Sequence, residues 1–144
     1  MNPLVLMPFA AHAALLAPLA GALVAFVVPN FRAAWIAALL AALVGVASAF
    51  YLATFGTNVA PLGLRADALS FASAPIIAIG GALCVLAAGK LAEQDFARGA
   101  VLGLALLQLS WFGWTGAAYA RDFVALIGVF EIGWIGAGAL VALS

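Results

Sequence analysis

One carboxylate stands apart among the residues that could do chemistry, because it lies inside an apolar segment. Glu131 is the only ionisable side chain between Phe123 and Leu143. A helix rises about 1.5 Å per residue, so Glu131 would lie roughly 12–14 Å past Asp122, near the middle of a hydrocarbon layer about 30 Å thick. A carboxylate at that depth is costly, and its protonation responds to nearby charge. We therefore expect Glu131 to relay a proton or cation. A protonated acid that only bonds a neighbouring helix is the alternative.

Two further candidates are the polar side chains of His12 and Gln108, which also lie within apolar segments. His12 has an imidazole that can exchange a proton near neutral pH, although a lone histidine is more often a structural hydrogen-bonding group. Gln108 is adequately explained by a hydrogen bond across two helices. No lysine or arginine lies at the depth of Glu131, so an electrostatic partner for this glutamate would belong to another polypeptide.

Three glycines follow the acid, at Gly133, Gly136 and Gly138. They could let a partner helix approach Glu131, or loosen the helix so that water enters. Ordinary close packing of small residues is the slightly favoured interpretation.

Motifs for covalent catalysis are missing from the sequence. It has no phosphate-binding glycine loop, nucleophile elbow or metal-ligand spacing, so we expect no cofactor, no metal and at most a non-catalytic subunit of a redox-driven translocase. Five basic and five acidic residues provide no basic face for nucleic acid. Cys84, the single cysteine, forms no disulfide framework, and we expect it to be a small core residue.

The composition is that of an integral membrane protein. Hydrophobic residues make up 69% of the chain and charged residues 7%, whereas soluble domains carry about 25% charge. We predict an all-α transmembrane domain over residues 1–144, with the first segment retained as a span rather than cleaved as a signal peptide. The five predicted spans are residues 4–28, 33–55, 68–88, 99–119 and 123–143. The charged stretch 89–98 is predicted to be a surface loop.

Basic residues in the connections give a weak prediction of orientation. Arg32, Lys90 and Arg98 fall on one side of the predicted membrane, and Arg65 and Arg121 on the other. The positive-inside rule then favours an N-terminus outside and a C-terminus in the cytoplasm. We expect a multi-pass protein of the cell inner (plasma) membrane.

Small residues recur every fourth position in the first two spans. The first stripe is Ala13, Ala17, Gly21 and Ala25, and the second is Ala37, Ala41, Gly45 and Ala49. Such stripes let helices approach closely, so the two spans are predicted to form a tight antiparallel pair.

Two short motifs resemble a transporter family. Residues 64–70, LRADALS, resemble the opening of its third helix through Asp67 and Ser70, where Asp67 can cap the helix. Asp122, another candidate cap, is followed nine residues later by Glu131, which resembles the family's fifth helix. The family comprises the antiporter-like, proton-translocating membrane subunits of respiratory complex I and of Mrp-type sodium/proton antiporters.

The resemblance implies a role for Glu131. In that family, the fifth-helix glutamate pairs with a lysine of a broken seventh helix, and the pair modulates a second lysine in a hydrated channel. Family members have about fourteen helices and an external N-terminus, whereas this sequence has five predicted spans and neither lysine. It would correspond to part of a split subunit, or to a shortened one.

Three functions are compatible with these sequence features. The first is a subunit of a multisubunit ion-translocating complex, whose partner subunits include one with a basic residue near Glu131. The second is a structural or assembly subunit that seals helix interfaces in a membrane complex. The least favoured is an independent transporter that forms its own oligomer around the buried acids.

Overall fold

A computed structural model describes the backbone of residues 3–55, 67–91, 97–120 and 123–142, and the side chains of 6–55, 67–89, 99–120 and 124–139. The described chain is all-helical, as predicted. Its helices are α1 (Pro3–Val27), α2 (Phe31–Phe55), α3 (Ala68–Leu91), α4 (Ala97–Ala118) and α5 (Phe123–Ala142).

Local chemistry explains where α2 and α3 begin. Asn30 caps α2, because its Oδ1 accepts hydrogen bonds from the backbone N–H groups of Arg32 at 2.9 Å and Ala33 at 3.3 Å. At the start of α3, Asp67 Oδ1 accepts from Ser70 N at 3.0 Å. Asp67 N in turn donates to Ser70 Oγ at 3.2 Å, so the two residues satisfy each other's backbone donors as in a capping box.

The charged connection is shorter than predicted. The prediction of a loop over 89–98 was wrong at both ends, because α3 continues to Leu91 and α4 already includes Ala97 and Arg98. Residues 92–96 lie outside the described part of the chain. Gly89 lies inside α3, where its missing side chain makes room for the indole ring of Trp35.

Within the described residues, four helices are long and apolar enough to cross a membrane. These segments are Leu6–Val27, Phe31–Phe55, Ala68–Gly89 and Gly99–Ala118, while α5 contributes a shorter apolar stretch, Val124–Ala139, over its described side chains. Large side chains such as Leu43, Ile76 and Val124 point outward, and most of the buried hydrophobic residues are alanine. This distribution suits a lipid-facing surface, where helices pack through small residues instead of a hydrophobic core of large ones.

The helices form a four-helix bundle with one helix attached outside it. In this bundle α1 packs on α2 and α4, and α3 packs on α2 and α4. Among the described residues, α5 contacts α4 alone. Most of the surface of α5 is therefore uncovered by the other described residues.

The two small-residue stripes meet, which confirms the predicted tight pair of α1 and α2. A Cβ placed on Gly21 would lie 3.2 Å from the Cβ of Ala41, and one on Gly45 would lie 3.9 Å from the Cβ of Ala17. Position 21 thus lies opposite 41, and 17 opposite 45, which is antiparallel register.

The prediction that Cys84 is a small core residue was wrong, because Cys84 is exposed on α3.

Candidate functional site: the open face of α5

Glycines hold α5 against α4 along one side. A Cβ on Gly113 of α4 would overlap the backbone of Gly133. A Cβ on Gly136 would lie 2.8 Å from the backbone nitrogen of Ser110 and 3.0 Å from the carbonyl oxygen of Leu106. The two backbones therefore approach as closely as glycine permits, and Gly133 and Gly136 serve ordinary helix packing.

The opposite side of α5 is exposed, since α5 contacts no described helix other than α4. Its exposed residues follow helical spacing, and we call this surface the open face of α5: Val124, Ile127, Gly128, Glu131, Ile135 and Gly138. A Cβ added at Gly128 or Gly138 would have no neighbouring heavy atom within 4 Å. Glu131 thus lies in the middle of α5, between two uncovered glycines, and points away from the bundle.

Aromatic rings fix the rotation of α5 beside this face. Trp114 of α4 packs edge-on against Phe130, with ring centroids 5.0 Å apart, and also contacts Trp134 at 6.1 Å. Phe130 and Trp134 contact each other at 6.1 Å. Because Phe130 and Trp134 lie next to Glu131 along the helix, these contacts hold the carboxylate on the outer side.

No basic group of the described chain approaches Glu131. The basic side chains described are Arg32 on α2 and His12 on α1, and neither helix contacts α5. His12 Nδ1 donates to the carbonyl oxygen of Pro8, 2.6 Å away in the same helix. The structure therefore does not bring His12 and Glu131, the two candidate proton-transfer residues, together.

The resemblance residues are also spread apart. Asp67 and Ser70 interact at the beginning of α3, a helix without contact to α5. Asp122 lies outside the described residues. The Asp67–Ser70 pair acts as a helix cap in the structure, and its chemistry is separate from that of Glu131.

A second polar feature, inside the bundle at α4, was not predicted from the sequence. Gln108, Trp111 and Thr115 lie on one face of α4 inside the bundle, and Tyr119 continues this line directly after the helix. We call the four residues the α4 polar row. Gln108 Nε2 donates to the carbonyl oxygen of Ala38 at 3.1 Å, which confirms the hydrogen bond predicted between helices. The spacing of three, four and four residues was visible, but all faces of α4 are rich in apolar residues, so the inward face could not be recognised.

Ser110 lies on another side of α4. It is buried under α5 beside Gly136 and does not belong to the polar row.

Comparison with known proteins does not identify a relative. No protein-family model, no curated protein and no solved structure matches the chain.

Proposed function

We propose that the protein is a membrane subunit of a multisubunit ion-translocating complex, complex I-like or Mrp-like. In this proposal α5 is the fifth span, and Glu131 takes part in proton or cation transfer at the contact with another subunit. The observation that carries the proposal is the placement of Glu131 in the middle of an apolar helix, on the open face. The resemblance of Asp67, Ser70, Asp122 and Glu131 to antiporter-like subunits supports it.

The energetics of a membrane argue that the open face is covered in the working protein. A charged side chain at the centre of a span costs about 2.5–3.5 kcal/mol on insertion scales. A basic group on a neighbouring subunit would offset this cost through a charge-assisted hydrogen bond. The described chain provides no such group near Glu131, which is why the partner is assigned to another polypeptide.

The uncovered glycines indicate how a partner would approach. A glycine inside a helix costs roughly 0.5–1 kcal/mol relative to alanine, and close contact between backbones can offset that cost. Gly133 and Gly136 make such contacts with α4, whereas Gly128 and Gly138 have none within the described part of the chain. A helix of a partner subunit packed across Gly128 and Gly138 would bring its basic side chain to Glu131.

The test uses the whole complex in native membranes. Glu131→Gln keeps the size of the side chain and removes its charge, so the partner subunits are expected to copurify with the tagged chain. Proton or cation flux through the complex in inverted membrane vesicles, followed with an ion-sensitive dye, is expected to fall at least tenfold. An assembled complex that translocates at the wild-type rate would disprove the ion-transfer role.

A matched pair of variants tests the docking surface. Gly128→Leu places a large side chain on the open face and is expected to reduce copurification of the partners at least tenfold. Gly80→Leu is the control, because Gly80 is also exposed and has no heavy atom within 4 Å of a built Cβ, but lies on α3. Equal assembly in both variants would place the partner elsewhere.

A structural or assembly role is the second candidate. The close packing of α5 on α4 through Gly113, Gly133 and Gly136 favours it, because a rigid five-helix unit can seal an interface without moving ions. This role predicts that Glu131→Gln leaves translocation unchanged, while Gly128→Leu still disrupts assembly.

A further inference from the structure

The α4 polar row holds four polar atoms without an internal partner. Exposed fractions are 0% for Gln108, 4% for Trp111, 2% for Thr115 and 0% for Tyr119. Within the described part of the chain, Gln108 Oε1, Trp111 Nε1, Thr115 Oγ1 and the Tyr119 hydroxyl make no hydrogen bond. Buried polar groups nearly always have a partner in protein or ordered water, so four in succession on one face indicate a bound ligand.

The described hydrophobic side chains that surround Trp111 and Tyr119 provide no hydrogen-bond partner. Six alanines from α1, α2 and α3 share the core cluster of Trp111 and Tyr119: Ala11, Ala14, Ala42, Ala49, Ala74 and Ala78. Alanine cannot form a side-chain hydrogen bond, and most helical backbone groups are already bonded within their own helix. A group left unbonded in such a core would lose its hydration without compensation.

Two prolines leave acceptors in the same cluster. Pro18 in α1 and Pro75 in α3 have no N–H, so the carbonyl groups of Ala14 and Phe71 lack the donor that an uninterrupted helix would supply. Ala14 belongs to the cluster of Trp111 and Tyr119, and Phe71 packs against it. Donors on α4 and carbonyl acceptors on α1 and α3 thus occur in one core region.

We propose that the α4 polar row binds a file of internal water molecules. A buried water typically makes about three hydrogen bonds and can both accept and donate. It can accept from the Trp111 indole N–H or a hydroxyl, and donate to Gln108 Oε1 or a carbonyl group. A metal cation fits less well, because an indole N–H only donates and the row itself holds no carboxylate.

The water file reaches only half-way through the bundle. Gln108 is at the middle of α4 and Tyr119 directly follows its last residue, which spans about 16 Å at 1.5 Å per residue. Beyond Gln108 the core is an apolar cluster that includes Ala38, Val85 and Leu104. There the Trp35 indole N–H is bonded to the Val85 carbonyl oxygen at 2.8 Å, so this tryptophan needs no water.

The α4 polar row is separate from Glu131 and from the function proposed for it. Glu131 lies on the open face of α5, whereas the polar row faces the interior of the four-helix bundle. Either proposal can fail while the other stands.

Radiolytic labelling of the full chain in detergent tests the water file. X-ray pulses generate hydroxyl radicals from water, and mass spectrometry then locates oxidised side chains. Although buried, Trp111 and Tyr119 are expected to be oxidised at least tenfold above background. Thr115→Val, which keeps the shape and removes the hydroxyl, is expected to lower both yields several-fold, whereas Ser110→Ala on the α5 side leaves them unchanged. Background labelling of both rings in the wild-type protein would overturn the proposal.

Thermal unfolding of Tyr119→Phe gives a second test, because a water-bonded and an unbonded hydroxyl predict changes of opposite sign in the unfolding midpoint. If water bonds the Tyr119 hydroxyl, Tyr119→Phe removes a satisfied group and lowers the unfolding midpoint. If the hydroxyl is unbonded, the same change relieves an uncompensated burial and raises the midpoint. A raised midpoint would overturn the proposal.

Discussion

At the scale of single residues, two adjacent glycines in α3 have opposite surroundings. Gly80 faces outward and has no heavy atom within 4 Å of a built Cβ. A Cβ on Gly81 would lie 2.7 Å from Trp111 Cγ, and closer still to two other atoms of the indole ring. Gly81 is therefore required for the contact between α3 and α4, whereas Gly80 is not required by any contact within the described chain.

We predict that alanine has opposite effects at these two positions. Gly81→Ala should lower the free energy of unfolding by about 1–3 kcal/mol, because the rigid indole ring must move out of a filled site. Gly80→Ala should raise it by roughly 0.5–1 kcal/mol, because alanine favours the helix. Thermal unfolding of both variants in detergent measures the difference, and equal midpoints would contradict the packing of Trp111 on Gly81.

Glu131 shows what a sequence can reveal about one residue and what it cannot. Its isolation in an apolar segment was evident, because a single acid among apolar residues needs no structure to be noticed. The direction of its side chain was not, since nearly every face of α5 is apolar and no polar face marks the lipid side. The contacts of Gly133 and Gly136 with α4, together with those of Phe130 and Trp134 with Trp114, turn Glu131 outward.

At the scale of helices, α5 depends on one interface. It contacts α4 alone, and its closest approach is between backbones, which cannot rearrange as a flexible side chain can. Small changes at this interface should therefore separate α5 from the bundle.

We predict that Gly136→Ala weakens the α4–α5 contact and that Gly138→Ala does not. The added methyl at 136 would meet Ser110 N at 2.8 Å and Leu106 O at 3.0 Å, so overpacking should cost about 1–3 kcal/mol. Gly138 has no neighbour within 4 Å of a built Cβ, which makes it the matched control. Protease digestion in detergent should cleave the α4–α5 connection faster in Gly136→Ala only. Equal cleavage of both variants would contradict the interface.

Helix limits were predictable where turn chemistry decides them. Between the first two predicted spans, Pro29 cannot continue a helix and Asn30 caps the next one, so the residue types explain the turn. The end of α3 was misplaced because Gly89 was interpreted as part of the connection. In the structure it lies inside α3 beneath Trp35, a tertiary contact that the local sequence does not encode.

At the scale of the whole molecule, the number of spans determines where the termini lie. Four helices satisfy the length and hydropathy of a span over their described residues. The helix α5 has 20 residues, which corresponds to about 30 Å and matches the hydrocarbon layer. If α5 also crosses, the two termini lie on opposite sides of the membrane. If it lies along the surface, they lie on the same side.

We predict that α5 crosses, with the N-terminus outside and the C-terminus in the cytoplasm. A fluorescent protein that folds only in the cytoplasm should therefore fluoresce when fused after Ser144. Fused after Ala120, before α5, the same reporter should be dark, and a periplasmic phosphatase should be active there instead. The positive-inside rule supplies the direction, through Arg32, Lys90 and Arg98. The same reporter response at both fusion points would show that α5 does not cross. Glu131 would then lie outside the hydrocarbon layer, where a carboxylate needs no basic partner, and the reason for assigning one to another subunit would be lost.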